Sequence, residues 1–380
     1  MKIVIASDSF KGSMSSLDVA TSATDGIVSV YPDCDVVAVN VADGGEGTVE
    51  AIVDALHGEV VSCIVSDPLG RPIDVTYGIA GDMAVLEMAA ASGLPLLQPE
   101  ERNPWLTSTY GTGEIIMNAI TRGCRKFLVG IGGSATNDAG MGMLQAMGFR
   151  FYNVNDELIT SGCGGELSNI ARIDDSLVSN AIKESIFTVA CDVDTPFCGP
   201  EGAAPVFAPQ KGADSAMVKS LDAGMASFAQ VIAQKYNIDI VPIAGAGAAG
   251  GMGGAFRAFL NATLKKGIDM VLDAIDFDNT IQGADLVITG EGKVDFQTAK
   301  GKTAAGVLCR AKKQHIPVLA IGGCVEMCDS LMQMGFAGIY PILEEKVPLE
   351  VAMQREFAME NVRKTVSKIL QNTIPSILKK

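Results

Sequence analysis

The chain has 380 residues, of which 48% are apolar and 19% charged. That is a globular composition and more chain than one ordinary core needs, so two domains are expected. Lys and Arg number 29 against 44 Asp and Glu, a net charge of −15, which argues against a protein that tracks nucleic-acid phosphates.

Taken in chain order, KIVIAS is a continuous apolar run that turns at Ser7 to Gly12 and leads into a helix pattern. VVAVN repeats the plan, with the acidic turn Asp43-Gly44-Gly45-Glu46-Gly47-Thr48 before a second helix ending near His57. Such runs alternating with helices predict a parallel sheet covered on both faces, whose ligands bind where the chain leaves the carboxyl ends of the strands. From about Val60 the pattern changes to short strands joined by tight turns at Asp67-Pro68-Leu69-Gly70 and Ala80-Gly81-Asp82, which are hairpin signals. KFLVGIGGSATND, IFTVACDVD and VPIAGAGAAGG then read as strand-then-loop units. Near residue 280 the first pattern returns in ADLVITGEG, TAAGVLCRAKKQ, PVLAIGG and AGIYPIL. The predicted fold is therefore α/β in two domains. A Rossmann/flavodoxin-like parallel-sheet domain is built from 1–60 plus 280–380, a mixed α/β domain of 61–279 is inserted into it, and the site lies in the cleft between them. Residues 346–379 are expected to end in a charged amphipathic helix on the outside.

The chemistry is bounded by what is scarce. His57 and His315 each sit at the end of a helix-like segment, where a capping or surface role is expected, so proton transfer falls to carboxylates. The nine Cys are scattered, without a C-x-x-C pair, and read as reduced thiols of a cytoplasmic protein. No signal peptide or membrane-spanning run is read, and no membrane partner is expected. Gly301-Lys302-Thr303 is not a P-loop, because Phe296 stands where the upstream Gly is required. Gly132-Gly133-Ser134-Ala135-Thr136 fails as a nucleophile elbow.

Several turns carry candidate chemistry. Gly245 to Gly250 matches G-x-G-x-x-G, with Asp269 downstream. It lies mid-chain without a continuing βαβ unit, so a helix N-terminus receiving a phosphate or carboxylate is favoured over a nicotinamide site. Asp43 and Glu46 are hard oxygen ligands on one turn, or an acidic helix cap. Gly132 to Asn137 suits an anion nest, and Asp138 either holds a metal or caps a helix. Alternation places Asp192 and Asp194 on one strand face, where they repel unless a cation or proton lies between them. Glu291, Lys293 and Asp295 follow ADLVITG in the same way. Lys11 and Lys211 are read either as cations aimed at an anion or as ordinary surface lysines, and Thr109 opens another hydroxyl-rich turn.

Together DSFKGSMSS, VADGGEGT, DPLGRPI, TSTYGTGE, GIGGSATND, CDVDTPF, APQKGA, AGAGAAGGMGG and TGEGKVDFQ resemble the bacterial glycerate kinase type 1 family, in the family's order from Asp8 to about Lys302. The resemblance implies ATP-dependent phosphorylation of D-glycerate with Mg²⁺, in the cytoplasm, by a protein of two α/β domains. It favours the 2-hydroxyl. Three positions depart from the family pattern: Ser7 for Pro, Thr195 for Asn, and Lys293 for the Arg of the GEGR block. The last exchanges a forked donor for a point charge.

On this reading Mg²⁺ is held among Asp43, Glu46 and Asp192. Lys11 and Lys211 stabilise the transferring oxygens, and Asp8 or Asp192 is the base. Gly132, Gly133, Ser134, Thr136, Glu291 and Lys293 contact the nucleotide. Ser9, Thr109, Asn137, Gly245 and Gly247 contact the substrate, and Arg71 clamps its carboxylate. Two other classes are weighed: a nicotinamide-dependent oxidoreductase acting on a small hydroxy acid, resting on the Gly245 turn alone, and a non-catalytic sensor of glycerate or a diacid. Homo-oligomerisation is left open.

Overall fold

The structure, a computed structural model, describes residues 1–45, 47–343 and 347–377. The chain divides into two compact units: Met1–Leu56 with Ile268–Lys380 (unit one), and His57–Gly267 (unit two). The return crossing falls earlier than residue 280, so the Gly267–Ala274 helix belongs almost wholly to unit one.

Strands are numbered in chain order. Unit one opens with β1 (Lys2–Ser7) and β2 (Asp35–Asn40). Unit two contains β3 (Glu59–Ser66), β4 (Pro72–Ala80), β5 (Met83–Glu87), β6 (Lys126–Gly130), β7 (Arg150–Tyr152), β8 (Leu158–Ile159), β9 (Arg172–Asp174), β10 (Ile186–Ala190) and β11 (Thr263–Lys265). The chain returns to unit one for β12 (Leu286–Val294), β13 (Val318–Val325) and β14 (Gly338–Pro341).

The sheet of unit one runs β14-β13-β12-β1-β2 with every pair parallel. Counted within the unit this is the order 2-1-3-4-5 of flavodoxin-like folds, and the order reverses between β1 and β12. Both faces are covered, as the unbroken apolar runs require. Ile3, Ile5, Leu319 and Ile321 pack under the Ser16–Val30 helix and the Arg355–Ile377 helix. The alternate residues Val4, Ala6, Val287 and Val318 pack under Leu272, Val307 and Leu308 on the other face.

The Ser16–Val30 helix starts at a capping box in which Ser15 and Asp18 satisfy each other's backbone N–H. Asp18 also takes the Arg355 guanidinium, which holds its carboxyl down at about 2. This exposed tie adds little energy by itself. Closer contact comes at Gly26, where a Cβ would lie 2.7 Å from the Arg363 carbonyl oxygen. Only glycine lets the two helices approach so nearly.

Unit two is built on a mixed sheet, β11-β10-β6-β5-β4-β3. The hairpins expected at Asp67–Gly70 and Ala80–Asp82 are the antiparallel pairs β3–β4 and β4–β5, and the remaining pairs are parallel. A small antiparallel sheet, β8-β7-β9, completes it.

Two local expectations are corrected. Residues 241–247 form turns, so no strand precedes the Gly245 loop. β10 stops at Ala190, before Asp192 and Asp194, so strand alternation does not set those two side chains on one face. His57 and His315 are exposed, with φ of 53° and 59°, closing the helices before them as expected. All nine cysteines are free. Among the described residues no helix is long and apolar enough to cross a membrane.

Candidate active site

Unit one carries a cavity of about 790 Å³ at the carboxyl ends of its strands, where open α/β sheets bind ligands. Two buried carboxylates stand at the point where strand order reverses. Ser7, the last residue of β1, is paired with Gly290 of β12, and the residues that follow are Asp8, just past β1, and Glu291, within β12. The Asp8 N–H donates to the Gly290 carbonyl at 2.9 Å, continuing the ladder one residue past β1 and setting Asp8 beside Glu291 of β12.

Asp8 Oδ1 accepts from the Ser9 N–H at 2.7 Å, and Oδ2 from the Thr303 hydroxyl at 3.0 Å. Burial raises its pKa, and the Asp43 carboxylate raises it further. The two hydrogen bonds and Lys11 act in the opposite direction. Glu291 Oε1 accepts from Thr298 Oγ1 at 2.6 Å. Burial pushes its carboxyl up to about 7, with Asp8 and Asp295 adding to the rise and Thr298 and Lys302 opposing it.

The rim supplies charge of both signs. Asp43 is half-buried and accepts from the Gly45 N–H at 3.3 Å, and Lys11 Nζ lies 4.0 Å from its carboxylate. Lys293 is engaged with Asp295 at 3.3 Å and Glu326 at 2.9 Å. Lys302 lines the cavity beside the Thr303–Lys313 helix. Asp8 and Asp43 are thus oxygen donors close enough to repel each other, and the nearby Lys11 is largely exposed. That donor set fits Mg²⁺, which takes one or two protein carboxylates and keeps several waters. Glu46 lies outside the described residues. Among the described residues no three His, Cys, Asp or Glu side chains group so as to hold a metal.

The remaining residues singled out from sequence lie in unit two. Lys211 is 1% exposed, and its Nζ donates to Ser134 Oγ at 2.7 Å and the Thr136 carbonyl at 2.6 Å. Burial pulls its pKa down to about 7, with Asp138 opposing. The contacts seen are with the Gly132–Asn137 turn itself: Gly132 and Gly133 are its exposed tip, and Ser134 to Asp138 are buried beneath. Thr136 Oγ1 and Asn137 Oδ1 are buried without a protein partner.

Asp138 is fully buried and accepts from the Thr109 N–H, the Thr109 hydroxyl, and the Gly140 and Gly142 N–H groups. It anchors the start of the Met141–Ala146 helix, the capping alternative read from sequence. Thr109 is spent on the same knot, since it also accepts from the Met143 N–H at 2.9 Å. Arg71 donates Nε to Asp67 at 2.6 Å and Nη1 to Glu101 at 2.6 Å, so the fork assigned to the glycerate carboxylate is occupied by two protein carboxylates. Asp192 Oδ1 accepts from the Gly267 N–H at 3.0 Å.

The Gly245 run is used for packing. A Cβ on Gly245 would meet Cys191 Sγ at 2.6 Å, one on Gly247 the Pro196 carbonyl oxygen at 2.1 Å, and one on Gly250 the Thr136 carbonyl oxygen at 2.2 Å. The dinucleotide reading is not supported by a turn whose glycines are filled by the protein's own backbone.

Sequence reasoning missed three contributors to the site: Thr303, which holds Asp8, Lys302, and the apolar lining residues Ile342, Leu343, Val347, Leu349 and Met353. The first two were in view as Gly301-Lys302-Thr303, a tripeptide opening the Thr303–Lys313 helix, in a loop that lacks P-loop spacing. The apolar lining carried no comparable signal, and residues 346–379 were assigned to the outside.

A fold of this kind, with buried carboxylates and lysines gathered at the switch point of a flavodoxin-like sheet, is the frame of a small-molecule α/β enzyme. The Glycerate kinase family model matches residues 3–373, and the chain belongs to that family. It is 45% identical to a glycerate kinase of Haemophilus influenzae over 97% of this chain and 99% of the relative. It is 42% identical to a glycerate 2-kinase of Escherichia coli over 98% of this chain and all of the relative. A solved structure assigned to glycerate kinase 2 of Salmonella typhimurium LT2 superposes with a TM-score of 0.90 at 42% identity, covering 99% of this chain and 98% of that one. Neither the oxidoreductase nor the sensor alternative finds support in these comparisons.

Proposed function

We propose that this chain transfers the γ-phosphoryl group of ATP to the 2-hydroxyl of D-glycerate, and that the transfer takes place in the cavity of unit one. The observation that carries the location is the pair of buried carboxylates, Asp8 just past the end of β1 and Glu291 on the adjacent strand β12, in a cavity that lysines also line. The family supports glycerate as substrate, and the name of the Escherichia coli relative supports the 2-position.

Phosphoryl transfer needs in-line positioning, neutralisation of phosphoryl charge and a group to take the hydroxyl proton. Asp43 keeps the metal role read from sequence, and Asp8 joins it. Glu46 lies outside the described residues, and Asp192 is committed to Gly267 in unit two. When bound, Mg²⁺ neutralises charge on the terminal phosphoryl oxygens. Lys11 and Lys302 add positive charge on the same side. Glu291 accepts the proton of the 2-hydroxyl as that oxygen bonds to the γ-phosphorus. The bond from phosphorus to the β,γ-bridging oxygen breaks, and ADP leaves. Thr298 fixes the Glu291 carboxylate for this step through the hydrogen bond on its other side.

A coupled ADP-release assay with D-glycerate, followed by phosphorus NMR of the product, tests the proposal. ADP formation that depends on glycerate, with a 2-phosphoglycerate resonance, is expected. ADP formation without a phosphoglycerate, or none at all, overturns it.

A further inference from the structure

Some of the unit-one cavity lining plays no part in the chemistry above. Among the described residues its lining also includes Ile342, Leu343, Val347, Leu349 and Met353, none of which carries a charged or hydrogen-bonding head. Leu349 is 75% exposed and Met353 37% exposed at this wall. Large apolar side chains left uncovered beside a cavity mark a place where a ligand buries them. Methionine suits such a surface because its unbranched thioether adapts to a flat partner.

Size and polarity identify the occupant. D-glycerate is a three-carbon acid with no apolar face, so it has no use for this wall. A cavity of about 790 Å³ is in the range that holds ligands the size of a nucleotide. Its lining combines the two chemistries a nucleotide needs: the ammonium groups of Lys11, Lys293 and Lys302 for phosphates, and aliphatic side chains for a base. We infer that the wall of Ile342, Leu343, Val347, Leu349 and Met353 receives the purine base of the phosphoryl donor, so that unit one alone binds the nucleotide from base to terminal phosphate. This rests on the reading of the chain as an ATP-dependent kinase.

Leu349 is the position to change, because its exposure means the fold does not depend on it. In Leu349→Asn, and in Val347→Asn as a second variant, MgATP affinity measured by calorimetry without glycerate is expected to fall about tenfold, the loss of one good apolar contact. Affinity for magnesium tripolyphosphate, which has no base, is expected to stay within twofold of the unaltered protein, and Leu349→Met is expected to restore ATP binding. Both substitutions are neutral, so charge repulsion cannot mimic the effect. Unchanged ATP affinity in both Asn variants, an equal loss for tripolyphosphate, or no ATP binding by the unaltered protein would each overturn the inference. Because these are binding measurements, they stand apart from turnover. A chain that binds ATP as described but makes no phosphoglycerate refutes the proposed reaction and leaves the base site standing.

Discussion

The two units bury charge near the carboxyl ends of parallel strands, and they do so to opposite ends. In unit two, Asp138 follows β6 and receives four protein hydrogen bonds, while Lys211 donates to two oxygens of the same turn. In unit one, Asp8 receives two such bonds and Glu291 one, and both line a cavity. A carboxylate has about four lone-pair sites, so Asp138 is saturated and has none to spare. Asp8 and Glu291 keep acceptor capacity for a ligand. Burial alone, which raises all three carboxyls, does not separate a reactive group from a structural one. The number of bonds already made does.

The largest effect that tests this contrast is on turnover. Asp43→Asn and Asp8→Asn are expected to lower kcat by about 10²- to 10³-fold, the scale of removing one group aimed at developing charge. Their melting temperatures should be unchanged or raised, because each substitution removes a carboxylate from a repelling pair. Near-normal kcat in either variant rejects the metal role. Asp138→Asn is expected to do the reverse. It turns an acceptor into a donor facing backbone N–H groups, at a cost of about 3 kcal/mol in unfolding free energy by denaturant titration. Whatever folded fraction remains should show a glycerate KM within about twofold. A stable but inactive Asp138→Asn protein would erase the distinction between the units.

Much of unit one was legible because parallel strands buried on both faces must be written as unbroken apolar runs, as in KIVIAS and ADLVITG. The turns after them were singled out as acidic, and Asp8, Asp43 and Glu291 line one cavity, but the grouping expected from sequence was a different one, of Asp43 with Glu46 and Asp192. The strand order was not legible, since nothing local in β12 states that it lies beside β1. Gly245 to Gly250 misled for a physical reason: a glycine-rich turn before a helix has the same composition whether it admits a phosphate or the carbonyls of Pro196 and Thr136. Asp192 misled because alternation was extended past the end of β10. The apolar lining of Ile342, Leu343, Val347, Leu349 and Met353 was silent, since these residues are scattered between the end of β14 and the short Leu349–Ala352 helix and share no period.

A smaller effect sharpens the role of Glu291. With its carboxyl at about 7 and the ionised form required to accept the hydroxyl proton, kcat/KM should rise with pH, about tenfold per unit below 7, and level off above it. Glu291→Gln should lower the rate and remove that limb. A wild-type profile flat from about pH 5.5 to 8 would exclude Glu291 as the base.

The smallest effect concerns Lys211, and its sign follows from linkage. The ammonium is at about 7 in the folded protein and near 10.5 when unfolded. Below about 7 both states carry the proton, and the cost of burying the ammonium is fully felt. Between about 7 and 10.5 the unfolded state binds a proton that the native state does not, so unfolding free energy rises with pH. Above that range the cost is gone. Wild-type protein should therefore show a urea midpoint that climbs from pH 7 to 9. Lys211→Met, which cannot titrate, should lack that climb. It should also lose the tethers to Ser134 Oγ and the Thr136 carbonyl, so the exposed Gly132–Gly133 tip should exchange its amide hydrogens faster. If the midpoint climbs equally in both proteins, the sealed lysine is charged throughout, and the saturated knot of unit two is an ion pair with Asp138 rather than a neutral amine donating to oxygens.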